Sequence, residues 1–385
     1  MEQSGNQSAC GGGDAVRRGV GEGVCAEPRC EVETVFPDAE SLRKFAESYE
    51  HDPRLGDLVP GFDAPFFQAG LAGYSDAAMR IVARRLGCPY CVTEALLDRP
   101  LLQGGRGFLK ADLGHQHANV PGGEEDHPLA GQLIGSEPGE MAQAAALLAE
   151  QGFEVIDINL ACPVKKIARK SRGGHFLAHP REAAEMLKAV REAVDPKIPC
   201  TVKLRRGWDD SPEAEYNFEY VFNAAYEAGY AWATVHGRTV KQKYNGPSNW
   251  KFLRELVKRY PDRLILGSGD IWNEGDIFRM LAYTGVAAVA VARGCIGDPW
   301  LFRRARQMLA GEQPTGPTIA EQRAVLQQHF ELSRAVNGEK AAGRMMRKFG
   351  IMFSRHHPQA AEVKSAFIEV HTAADWQEVL NRYYS

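Results

Sequence analysis

Cys162-Pro163 stands just past an apolar run that ends in Asn159, and the basic residues Lys165, Lys166, Arg169, Lys170 and Arg172 follow it. A thiol at the end of such a run can serve as a proton donor or as a nucleophile, with the cations available to an anionic substrate. The residue types do not choose between those roles. A free buried cysteine beside a solvated basic loop is the plain alternative. Other polar residues interrupt or end apolar runs: Glu94, Gln132, Asp157, Asn159, Lys203, His236, Ser268-Gly269-Asp270 and Arg293-Gly294. A polar side chain inside an apolar segment is costly unless it is partnered or meets a ligand. So many at corresponding places point to a ligand site. The segments LGSGDI (266–271) and ARGCIG (292–297) each set glycines where backbone N–H groups can approach an anion. Together with Arg293, Lys203 and His236 they suit a phosphate-bearing cofactor. Neither segment has the GxxxxGK[ST] spacing of a P-loop.

The elements that must position these groups follow from periodicity. Short apolar runs at 66–69, 90–94, 130–134, 155–159, 201–204, 233–236, 264–268 and 288–292 alternate with helical periods at 76–86, 139–150, 180–194, 212–228, 249–260 and 273–283. Apolar strands separated by amphipathic helices imply a parallel sheet covered on both faces. Eight such units predict an α/β fold, a (β/α)8 TIM barrel over residues 61–313, with a doubly wound open sheet as the alternative. Residues 314–385 carry only helical periods and predict an all-α bundle packed on the barrel. Residues 1–60 read as an extension, largely disordered, with one short helix at 38–50.

The charge is unevenly spread. The chain of 385 residues has 46 Lys/Arg against 49 Asp/Glu. Residues 1–60 hold six basic and twelve acidic groups, which leaves 40 against 37 in the remainder, a net +3. Only local clustering could then make a nucleic-acid surface. No apolar run is long enough for a membrane span, no secretory leader is visible, and eight scattered cysteines fit a reducing cytoplasm.

With these strings in view, the chain resembles the tRNA-dihydrouridine synthases over roughly 62–385. The strings are LAGYSD (71–76), GQLIGS (131–136), DINLACPVKK (157–166), TVKLRRGWDD (201–210), TVHGRT (234–239), GSGDI (267–271), ARGCIGDPWLF (292–302) and RMMRKFG (344–350). The resemblance implies an FMN-dependent reduction of tRNA uridines to 5,6-dihydrouridine, with NADPH or NADH as reductant. Hydride would pass from reduced flavin to C6, and a proton from Cys162 to C5. It implies that Gly70, Leu71, Ala72, Gln132, Lys203, His236, Ser268, Gly269, Asp270, Ala292 and Arg293 surround the cofactor. Asn159 and Lys166 would meet the substrate, and Arg344, Arg347 and Lys348 the RNA. The expected partner is tRNA, with rRNA also open, for a monomer without metal or membrane attachment. Gly70, Ser268 and Ala292 differ from the family's usual proline, asparagine and glycine, and Leu160-Ala161 replaces Met-Gly.

Two rival functions fit parts of the sequence. One is a free-pyrimidine dehydrogenase of the dihydroorotate or dihydropyrimidine type, which a basic helical tail does not require. The other is a non-catalytic RNA-binding homologue. Cys88-Pro-Tyr-Cys91 has thioredoxin-like spacing but enters a strand, so it reads as structural. His356-His357 reads as a surface pair, and Trp208 as either packing or a platform for a base.

Overall fold

The computed structural model describes residues 38–104, 123–164 and 172–385. The strands are β1 (Phe66–Gln68), β2 (Cys91–Val92), β3 (Leu96–Leu97), β4 (Leu129–Ile134), β5 (Val155–Leu160), β6 (Cys200–Arg205), β7 (Trp232–His236), β8 (Ile265–Ser268) and β9 (Ala288–Val291). All pairings are parallel, and β1 joins β9 on one side and β2 on the other. β2 and β3 both pair with β4, so they are two pieces of one strand position. The nine segments therefore close into an eight-position barrel. The open-sheet alternative is thereby set aside.

Helices fall where the periods predicted them, and local chemistry fixes their ends. Asp76 caps Ala77–Arg85 by accepting from Met79 N, and Ser211 caps Pro212–Glu227. Asn273 with Asp276, and Thr318 with Glu321, form reciprocal capping boxes for Glu274–Thr284 and Ile319–Asn337. Trp300–Leu309 and the short Asp98–Leu102 are helices that the periodicity did not mark.

Strand alternation sorts the barrel. Ile156, Ile158, Val202, Leu204, Val235 and Val289 face the surrounding helices in the main core. Val155, Trp232, Leu266, Ala288 and Ala290 face inward, in a second cluster with Leu55, Val59 and Phe62. The extension thus departs from expectation over 38–60. It carries two helices, Ala39–Glu47 and Pro53–Leu58, and both bury apolar residues against the barrel body. Phe62 stacks on Tyr90 at 4.9 Å between centroids and meets Trp232 edge-on. Residues 1–33, expected to be disordered, lie outside the described residues.

The C-terminal helices Ile319–Asn337, Glu339–Phe353, Ala360–Ile368 and Ala373–Tyr383 form the expected bundle. Phe353 packs edge-on against Trp300 of the barrel, and Phe330 stacks on Trp376 within the bundle. His357, read as a surface residue, is buried: Tyr384 covers its ring, and its Nε2 lies 2.7 Å from Tyr383 O. No helix among the described residues is long and apolar enough to cross a membrane.

Candidate active site at the barrel mouth

Period-two alternation places Gln132 on β4, Asp157 and Asn159 on β5, Thr201, Lys203 and Arg205 on β6, His236 on β7 and Ser268 on β8 at inward positions. The register pairs Gln132 with Asp157, Asn159 with Lys203, Arg205 with His236, and His236 with Ser268. One cavity results. It is lined by Cys162, Asn159, Gly70, Leu71, Ala72, Gln132, Lys203, His236, Ser268, Gly269, Asp270, Ala292 and Arg293. Lys166 lies outside the described residues.

A hydrogen-bond chain runs from the strand interior to the cysteine. Thr201 Oγ1 donates to Asp157 Oδ1 at 2.6 Å, and Gln132 Nε2 to Asp157 Oδ2 at 2.7 Å. Asn159 Nδ2 donates to Gln132 Oε1 at 2.8 Å, while Asn159 Oδ1 accepts the N–H groups of Ala161 and Cys162 at 3.0 and 3.1 Å. Because backbone N–H can only donate, the Asn159 amide has one possible orientation, and Gln132 inherits its own from it. Burial holds the Asp157 carboxyl above the usual carboxylate range, while Thr201 and Gln132 oppose that effect. Cys162 is clamped from both sides: Gly174 N donates to its carbonyl at 3.1 Å, and Arg205 Nε donates to Ala161 O at 2.9 Å. Burial raises its thiol above the ordinary value, so the protonated form prevails near neutral pH.

Basic residues line the adjoining wall, from β6 onward. Burial brings the Lys203 amine down to about 8, although Asp157 works against this, and its Nζ lies 3.4 Å from Ser268 Oγ. Burial, reinforced by Lys203, Arg205, Arg238 and Arg293, holds His236 well below its ordinary value. Its Nδ1 accepts from Arg238 N at 3.3 Å, so the neutral ring carries its proton on Nε2. Asp270 forms an ion pair with buried Arg238 and also accepts from Ser248 N at 2.7 Å. Its carboxylate is thereby engaged as a brace for the loop.

Two glycines are steric necessities. A Cβ at Gly70 would come within 2.3 Å of Thr93 O, which accounts for the absence of a larger residue there. Gly269 has φ +115°, and a Cβ would lie 2.4 Å from Ser248 Oγ and 2.9 Å from His236 Nε2.

The expected RNA residues separate. On Glu339–Phe353, Arg344 is exposed and Arg347 half-buried. The Lys348 amine instead donates to Gly73 O and sits 4.6 Å from the centre of the Tyr74 ring. Trp208 packs on the core with its ring edge-on to His175, which favours the packing reading. Cys88 and Cys91 are buried and form no disulfide, their sulfurs sharing a hydrogen bond at 3.8 Å. Sequence reading missed Arg205, Tyr244 and Trp272 as lining residues. Arg205 was readable from its period-two spacing with Lys203, whereas Tyr244 and Trp272 lie in loops without periodicity.

The dihydrouridine synthase family model matches residues 67–384. The chain belongs to that family. The tRNA-dihydrouridine synthase B of Xanthomonas axonopodis pv. citri is 32% identical over 317 residues, covering 82% of this chain and 91% of its own. The probable tRNA-dihydrouridine synthase of Rickettsia conorii is 30% identical, covering 82% and 92%. Among solved structures, morphinone reductase in complex with tetrahydroNAD aligns with 66% of this chain and 89% of its own. At 15% identity and a TM-score of 0.46, that likeness is too slight to add to the sequence match. As a dihydrouridine synthase, the protein is an enzyme, and the non-catalytic alternative loses its footing.

Proposed function

We propose that this enzyme reduces a uridine of tRNA to 5,6-dihydrouridine, with FMN held at the barrel mouth and NADPH or NADH as reductant. The carrying observation is Cys162, half-buried on a loop whose backbone is clamped beside a cavity lined by Lys203, Arg205 and Arg293, with burial shifting its thiol further toward the protonated form. The donor set suits FMN. Lys203 and Arg293 offer positive charge, His236 a neutral Nε2–H, and Gly269 a backbone that a Cβ would obstruct. When bound, the flavin supplies the hydride that reaches C6 of the base.

The chain's own groups perform the rest. Cys162 Sγ–H gives its proton to C5. Asn159 holds the cysteine loop and retains one Nδ2–H for the base, since its other polar capacity is used. Reaching C5 and C6 requires the base to leave its stack. Exposed Arg344, half-buried Arg347 and Lys166 hold the RNA phosphates that allow this, whereas Arg172, at the end of the basic run after Cys162, is buried in an ion pair with Asp98. Lys348 ties the helical bundle to the first barrel loop.

The test is Cys162→Ala assayed on tRNA that lacks the modification, with dihydrouridine read by nucleoside mass spectrometry. A drop of about 10²–10⁴-fold at unchanged flavin absorbance is expected, the range for a lost general acid. Product formation at the wild-type rate would refute the role.

A further inference from the structure

We infer that Tyr244 and Trp272 are positioning residues that hold Arg293 ready for the cofactor phosphate, a role that rests on the FMN reading above. The Arg293 Cζ lies 4.8 Å from the centre of the Tyr244 ring and 4.9 Å from that of Trp272. Both aromatics line the mouth yet remain 53% and 42% exposed. Neither is there to fill a core.

The three arginines near this wall are used differently. Arg205 donates to the carbonyls of Ala161, Thr239 and Lys243. Arg238 is occupied by Asp270 and the carbonyl of Gly246. The Arg293 guanidinium makes neither a hydrogen bond nor an ion pair with the described residues, and its two closest ring partners are Tyr244 and Trp272. Ring contacts engage the flat faces of a guanidinium and leave its N–H edge free for a bidentate anion. They also restrict a flexible side chain before the ligand arrives, so less freedom is lost on binding.

The three residues come from consecutive loops, following β7, β8 and β9. Barrels frequently bind phosphate after the last two strand positions. The turn presenting Tyr244 is braced on several sides. Lys243 adopts φ 55°, a conformation uncommon for a side chain of its size, and its carbonyl accepts from Arg205 Nη1 at 2.6 Å. Gln242 Nε2 donates to Asn245 O and Pro247 O at 2.9 and 3.1 Å. The ring's place is built into that turn.

The experiment compares FMN with riboflavin, which has the same ring system and no phosphate. Dissociation constants are read from flavin fluorescence for wild type, Trp272→Ala, Trp272→Phe, Arg293→Ala and the Trp272→Ala/Arg293→Ala pair. Trp272→Ala should weaken FMN about five- to tenfold, the scale of a partly desolvated cation–π contact, and leave riboflavin unchanged. Trp272→Phe should recover most of the loss. In the Arg293→Ala background, Trp272→Ala should have no further effect, because its action passes through that guanidinium. Equal losses for both flavins, or additive losses in the pair, would overturn the inference. So would a fall in tRNA affinity at unchanged FMN affinity, which would make Trp272 a platform for a base. A wild-type protein that binds no FMN would instead sink the functional reading itself.

Discussion

The two ends of the barrel are made from the same strands and have opposite characters. At the base, Leu55, Val59 and Phe62 close the lumen together with Tyr90 and Trp232, and none of the five is more than 1% exposed. At the mouth, the same inward positions carry Asn159, Lys203, Arg205, His236 and Ser268 around a cavity. The change takes only four residues along a strand: Val155, Asp157 and Asn159 on β5, or Trp232, Thr234 and His236 on β7. Buried aromatic contact at one end supplies stability, which lets the other end keep partly unsatisfied cations and a glycine-lined backbone.

That separation can be broken most forcefully at the base. Phe62→Ala should cost about 3–5 kcal/mol, the usual penalty for an aromatic cavity in a core, read as a lower urea midpoint. The fraction that remains folded should bind FMN as wild type does. A matching loss of affinity would show that the two ends are coupled. A smaller effect is expected at the mouth from Asn159→Ala, which removes the acceptor of two backbone N–H groups. Such a loss is about 1–3 kcal/mol, so dihydrouridine formation should fall about ten- to hundredfold with flavin content retained. An equal fall in flavin content would move Asn159 from the cysteine loop to the cofactor.

The smallest effect sharpens the electrostatic side of the comparison. Burial depresses Lys203 to about 8, so the amine is charged below that pH and neutral above it. FMN affinity should therefore fall as pH rises from about 7 to 9, by at most about tenfold, because an anionic ligand loses one cation. Lys203→Met should bind more weakly and show a flatter profile in the same titration. A flat wild-type profile would remove Lys203 from the phosphate's surroundings.

Much of this arrangement was legible in the sequence because it obeys short periods. The strand positions and the polar residues at their ends follow from alternation, and the resemblance gave those residues roles. What escaped was set by contacts across loops. Tyr244 and Trp272 meet Arg293 only because three loops converge. β2 and β3 are too short to show a period, and they share one strand position through their common pairing with β4. Lys348 has the composition of an RNA contact, but the fold turns its amine onto Gly73 O. The helix Pro53–Leu58 was hidden by its own proline, which suits a first helical turn as well as a loop.

The closure at the base reaches beyond the barrel's own span. Composition and charge both suggest cutting the chain near residue 60, where the acidic segment ends. Phe62 would survive such a cut, but Leu55 and Val59 would not, and Tyr90 and Trp232 would then face water at an unstoppered lumen. A chain cut near residue 60 should therefore be less stable than one that begins at or before Asp52, whose side chain caps the helix that carries Leu55. Residues upstream of the first strand are thus part of the barrel's core.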